Sequence, residues 1–368
     1  MDNSTIDMMK VLYIFPKGDP LIRQHVEILA DGLRQSVEIC MTDNYHAFKQ
    51  QLKSLQPDII HCHGCCSFDI IRAVLYGHKA GSRIVITLHG QMEPWAIEQQ
   101  TTQAKAEKFF KLQKTCIQRA YAIITLGRLE QKNFVKLKWN QRVELIHNAI
   151  TTNIISPMEM CSKTFAVYQK VVDSNTLEQM DDTTLEALAI ILKASITGDR
   201  RWCRKIDAVT HPQDIDWRRL LIYASHENIR NYVDYGISIL GLSSPGIDTN
   251  HIASYYPDSY ITPRPIKEVI GDYQGNETDY LLRMISQLHR KPLLLHMIEF
   301  TRELMRDNVN DDQLNDSLEE KKLKGFAASL MQVLSEEVEL DEGFMPLQPV
   351  EDRQTNKIRK LLTNHLKI

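Results

Sequence analysis

The apolar positions of the first 150 or so residues fall into two alternating patterns. Short runs rich in Val and Ile stand at Lys10–Phe15, Val37–Met41, Asp58–Cys62, Ile84–Leu88, Ala122–Leu126 and Val143–Ile146, each the length of a buried strand. Between them the spacing becomes helical. Leu21–Leu33 puts Ile22, Val26, Leu29 and Leu33 on one face, Thr102–Tyr121 lines one side with Phe109, Leu112, Cys116 and Ala120, and Ala47–Leu55 and Phe68–His78 behave alike. Strand, helix, strand in repetition predicts a parallel sheet. Beyond Thr152 the alternation stops. Thr183–Ser195, Ile215–Leu240, Glu277–Asp307, Leu314–Glu339 and Arg353–Leu366 all read as helices, with Pro292 breaking the third. Ser243–Gly275, rich in Gly, Pro, Ser, Asp and Tyr, reads as a loop. The predicted fold is an α/β Rossmann-like N-terminal domain, residues 1–153, followed by an all-α C-terminal domain, residues 154–368.

His-Gly closes two of the predicted strands, as His63-Gly64 and as His89-Gly90. Open α/β sheets bind ligands at the carboxyl ends of their strands, so all four residues are candidates by position.

Four phrases in order carry a resemblance: PDIIHCHG, VITLHGQMEPWA, RAYAIITLGRLEQKNF and VELIHNAITTN. They resemble the N-terminal domain of family-4 glycosyltransferases, from about Lys10 to Asn153, with HGQMEPWA the most specific. The resemblance implies half of a GT-B fold, the acceptor side of a retaining, nucleotide-sugar-dependent enzyme with two facing Rossmann-like domains. It implies that His89 hydrogen-bonds a sugar hydroxyl as the catalytic-site histidine, with Gly90 allowing close backbone approach. The other reading of His89 is a strand-end cap bonded to backbone. Trp95 becomes a wall, for an acceptor sugar or for the core. Glu93 either reaches an acceptor hydroxyl or shapes a turn. In the family's first loop two adjacent glycines approach the donor; here only Gly18 stands, between Lys17 and Asp19, and it serves either a phosphate or a turn. Of the family's Pro-Asn-Gly junction, Asn148 is retained. GRLEQK at 127–132 looks like a donor-domain phrase but lies in the wrong half of the chain.

The second half lacks the family's donor chemistry: its Glu residues have no Gly-rich strand–helix turn before them. Arg200, Arg201, Arg204 and Lys205 surround Trp202 in what reads as a surface helix. A donor side would then come from a protein partner, as in split two-subunit transferases. The other class of function is a transferase remnant acting as an interaction or regulatory protein.

Composition sharpens this picture. A chain of 368 residues that is 43% hydrophobic suits about two soluble domains. No apolar run approaches the ~20 residues of a membrane span. No signal peptide is recognised, and seven irregularly spaced cysteines suit a reducing cytoplasm. Residues 1–153 hold 19 Lys and Arg against 14 Asp and Glu, a net of +5, whereas residues 154–368 are net −8. The asymmetry reads either as two unrelated surfaces or as a basic half that meets phosphate or an anionic membrane face, and Lys105, Lys108, Lys111 and Lys114 on one predicted helix form either a solvated face or a peripheral membrane contact. The expected partner is a sugar or lipid-linked glycan acceptor at the inner membrane face. No nucleic acid and no cofactor are expected. HCHGCC offers Cys62 and Cys65 at C-x-x-C spacing, but no second ligand pair follows, and strand alternation puts His61 and His63 on the face opposite Cys62. No metal is therefore expected.

Overall fold

The computed structural model describes residues 8–101, 106–250, 252–255, 262–271, 276–306 and 310–363. The chain forms two compact units, Met1–Ser174 with Ala253–Asp258, and Asn175–Ile252 with Ser259–Ile368.

The first unit is built on six parallel strands: β1 (Met9–Ile14), β2 (Val37–Thr42), β3 (Ile59–His63), β4 (Arg83–Thr87), β5 (Ala122–Thr125) and β6 (Val143–Leu145). They lie in the order β2-β1-β3-β4-β5-β6. The chain therefore reverses its direction of travel between β1 and β3, the place where doubly wound sheets open a crevice. The helices are α1 (Pro20–Leu33), α2 (Tyr45–Leu55), α3 (Phe68–Lys79), α4 (Pro94–Thr101), α5 (Ala106–Arg119), α6 (Arg128–Lys136) and α7 (Pro157–Val172). The ends are set locally: Asp19 accepts from the Ile22 N–H and Pro20 begins α1, while Asn44 caps α2 in the same way.

Strand alternation sorts the core. Leu12, Ile14, Ile60, Cys62, Ile84, Ile86 and Ile123 meet the face covered by α2, α3 and α5. Val11, Tyr13, Ile59, Val85, Ala122 and Ile124 meet the face of α1 and α7. Each fully buried Ile or Val contributes ~1.5–3 kcal/mol. Both faces are covered, so the strands are continuous apolar runs.

Three sequence expectations change here. The first unit runs on past residue 153 to Ser174, because α7 packs on α1 through Met160, Cys161, Thr164, Val167, Tyr168 and Val171. Ser156 caps it and Pro157 starts it, a signal absent from the sequence reading. The long helix expected over Thr102–Tyr121 is α5, preceded by the separate α4; Thr102 and Lys105 lie outside the described residues. Leu112, expected on the buried side of α5, is exposed; Gln113, Cys116 and Ile117 face inward instead.

Among the described residues the second unit is helical and holds no strand. Its core gathers Leu188, Ile191, Trp202, Leu220, Leu221, Val233, Met284, Ile285, Phe300 and Leu330 among others. Pro292 divides Glu277–Arg290 from Leu294–Leu304, as expected. The stretch expected as one helix over Ile215–Leu240 is two, Trp217–His226 and Arg230–Leu240, and Leu314–Glu339 becomes Asp311–Glu320 and Lys324–Val338. Asn228 and Lys322 at the breaks have φ of 56° and 58°. One left-handed residue turns the chain while both flanking pieces keep an apolar face, so periodicity runs through the break. Trp202 is buried beneath its basic cluster: Lys205 lies 4.3 Å from the ring centre and pairs with Glu339 at 2.6 Å.

Glu227, just past the first of these helices, is 6% exposed, and burial raises its carboxyl to about 7. The native state then keeps a proton that the unfolded chain has already lost, so stability falls as pH rises from about 4.5 through 7. The loss approaches ~3 kcal/mol. Glu227→Gln should match the parent at pH 4 and exceed it by ~2–3 kcal/mol at pH 8 in urea unfolding. A parent with the same stability at both pH values would refute this.

Candidate functional site

The loops at the carboxyl edge of β3, β4 and β5 are tied to one another by side chains. Gln91 Oε1 accepts from the N–H groups of Cys65 and Cys66, at 2.6 and 3.0 Å. Gly64 donates to the Thr87 carbonyl at 2.7 Å. A side chain at Gly64 would meet the Gln91 amide within 3 Å at a φ of +93°, so this position requires glycine. Glu130, in the first turn of α6, accepts from the N–H of Leu126 at 2.6 Å and of Gly90 at 2.5 Å. Gly127 caps α6 without a side chain, and Glu130 reaches back in the manner of half a capping box. Burial raises its carboxyl while these two donors hold it down.

The loop after β4 carries the strain. His89 has a φ of 52° and Gly90 one of 75°. Histidine tolerates the left-handed region better than most residues, yet such strain gathers at ligand sites. His89 Nε2 lies 3.2 Å from His63 Nδ1. His25, from the buried face of α1, closes the group. Ring centres are 5.0 Å apart for His25–His89, 5.6 Å for His25–His63 and 5.5 Å for His63–His89. One nitrogen from each of the three rings lies within 4.8 Å of the others, the arrangement of a metal-ligand set.

Burial dominates the electrostatics of these rings. It lowers His25 to about 4 and His89 to about 3, and puts His63 well below the ordinary range, with repulsion from neighbouring rings adding to the effect at His63 and His89. All three are neutral at pH 7. Beneath them His61 bridges the Tyr168 hydroxyl at 2.6 Å and Thr87 Oγ1 at 2.7 Å, and Tyr168 donates on to Tyr13 at 3.0 Å. Cys62 faces the opposite core, as alternation predicts, and burial raises its thiol.

The other expected positions are scattered by comparison. Gly18 lies in the loop between β1 and α1 with a φ of 87° and open space around it. Glu93 accepts from Asn133 Nδ2 at 2.7 Å, a turn-fixing role. Trp95 is 61% exposed on α4, so it is not a core residue. Asn148 accepts from the Ile150 N–H at 2.9 Å, and its side chain lies beside His25. Lys108, Lys111 and Lys114 are exposed on α5, and Lys111 pairs with Glu107 at 2.8 Å. His25, Gln91 and Glu130 were missed by sequence reasoning. Only Glu130 left a signal, the Gly-x-x-Glu at the start of a helix.

A doubly wound parallel sheet, with histidines and glycines gathered at its switch point, defines a Rossmann-like domain. Residues 12–154, about two-fifths of the chain, match the model of Glycosyltransferase Family 4, so the first unit carries a glycosyltransferase family-4 domain. No curated protein matches the chain.

Proposed function

We propose that the chain is the acceptor-side half of a retaining sugar transfer from a nucleotide sugar, in polysaccharide or glycolipid assembly, with the donor side supplied by a protein partner. The observation that carries this is the pairing of a family-4 domain, whose strained His89-Gly90 loop lies at the switch-point edge, with a second unit that has helices where a donor-binding sheet would stand. His89 would hydrogen-bond a sugar hydroxyl, Gly90 would admit it, and exposed Trp95 would stack on the acceptor. A diphosphate needs fixed donors, usually backbone N–H groups at a helix start with Lys or Arg, and the resembled enzymes keep most of these in the second Rossmann domain. The site's place in the cytoplasm, peripheral at the membrane through Lys108, Lys111 and Lys114, belongs to the same proposal. Among the described residues no helix is long and apolar enough to cross a membrane.

Calorimetry on the isolated chain with uridine, guanosine and adenosine diphosphate sugars should give Kd weaker than ~1 mM. Saturation-transfer NMR with short glycan acceptors should show binding that His89→Asn weakens about tenfold, ~1.4 kcal/mol, at an unchanged Tm. Asparagine keeps the left-handed backbone. Micromolar binding of a nucleotide sugar would overturn the half-enzyme reading in favour of a complete transferase. Silence from both ligand classes would favour the second reading, a transferase remnant serving as an interaction protein through its helical unit.

A further inference from the structure

We propose that His25, His63 and His89 form a binding site for a zinc-class transition-metal cation at the carboxyl edge of the sheet. The site does not depend on sugar transfer.

The geometry is the argument. Two neutral imidazole nitrogens 3.2 Å apart share either a proton or a cation. For zinc–nitrogen bonds of about 2.0–2.1 Å, the edge of a tetrahedron is about 3.3 Å. Three imidazoles on one tetrahedral ion hold their ring centres about 5 Å apart; here the separations are 5.0, 5.5 and 5.6 Å. The remaining nitrogen separations, up to 4.8 Å, close on a cation by side-chain rotation.

Hydrogen bonding leaves the cluster incomplete. His25 Nδ1 and His63 Nε2 are buried with no partner among the described residues. His25 and His63 are 2% and 0% exposed, so water does not readily replace the missing partners. Buried polar atoms are rarely orphaned, and His25 Nδ1 is left for a ligand; His63 Nε2 is not the nitrogen that faces His89. Neutral rings present the lone pairs that a metal requires.

The chemistry selects the ion. Three imidazoles and no carboxylate favour zinc, copper or nickel over magnesium or calcium. The cysteines nearby are poor competitors. Cys62 points to the other face, and Cys65 is a buried thiol raised by its bond to Cys66 and by burial. Three protein ligands leave a tetrahedral ion one open position, for water or an oxygen of a bound ligand.

The test uses the full, untagged chain, stripped with chelator and titrated with zinc and then cobalt. One equivalent of zinc should bind with Kd of about 1 µM or tighter. Cobalt should give visible bands of a nitrogen-ligated tetrahedral ion without a near-ultraviolet thiolate band. His25→Gln and His89→Asn, each checked for the parental Tm, should weaken zinc by about 100-fold or more. His63→Asn should do so too, and the other two variants decide if it does not fold. His46→Ala, an exposed histidine, should leave affinity unchanged. No zinc binding tighter than about 100 µM, affinity indifferent to His25 and His89, or a thiolate band lost in Cys65→Ser would each overturn the proposal.

Discussion

Glu130→Ala should cost ~3 kcal/mol and loosen the site that Glu130 anchors through Gly90. The side chain is 6% exposed and accepts from two backbone donors, the N–H groups of Leu126 and Gly90. Bonds from backbone N–H to a carboxylate are worth ~1.5–3 kcal/mol each, offset by the cost of burying the acid. The second donor belongs to the residue after His89, whose left-handed backbone has no reason to persist once the anchor is lost. Glu130→Gln tests the mechanism separately. Its one oxygen serves one donor while its NH2 opposes the other, so about half the loss is expected. Urea unfolding gives the energy, and hydrogen exchange gives the location. The Gly90 and Leu126 amides should exchange at least about tenfold faster in the alanine variant, with the β1–β3 ladder unchanged. Uniformly faster exchange, with no excess at those two amides, would count against a local anchor.

Gly236→Ala should destabilise the helical unit by ~3 kcal/mol or more, although an exposed helical Gly→Ala usually stabilises by ~0.5–1 kcal/mol. The sign reverses because Gly236, on Arg230–Leu240, lies against the backbone of Asp182–Thr197. An added methyl would overlap the Ile191 carbonyl oxygen and stand 2.9 Å from the Ile191 carbonyl carbon. A side chain could rotate away; a helix backbone must shift as a body, and the neighbouring Val233 and Ile237 would be drawn off the core with it. A drop in Tm of about 10 °C is expected. Gly325→Ala, in a helical first turn with open space around it, should instead gain a few tenths of a kcal/mol. Equal effects at the two positions would show that propensity, not helix contact, governs.

The sheet was legible because burial on both faces leaves a simple signature. Asp58–Cys62 and Ile84–Leu88 could hardly be anything but central strands, and each came within one residue of β3 and β4. The His-Gly ends of those strands were legible for the same reason. His25 was not. It sits between Ile22 and Val26 on an amphipathic helix, where one histidine among apolar neighbours carries no label. Its meaning comes from the fold bringing residues 25, 63 and 89 together, and the search for paired C-x-x-C ligands looked only for closeness along the chain. The breaks at Asn228 and Lys322 escaped for a related reason. A turn of one residue costs the apolar stripe almost nothing, so hydrophobic periodicity cannot register it.

The return of Ala253–Tyr255 to the first unit bears on the order of synthesis. The Tyr255 N–H donates to Ser174 Oγ at 2.6 Å, and its hydroxyl donates to Glu144 at 2.7 Å. Arg83 bonds the Ser174 carbonyl at 3.1 Å, so one strand end and the tail of the unit meet at the same serine. On the ribosome the sheet and α7 emerge first, but their last plug arrives only after some eighty further residues of the helical unit have been made. The nascent first unit must wait with that edge unsealed, and a gene fragment ending at 174 would encode it permanently so.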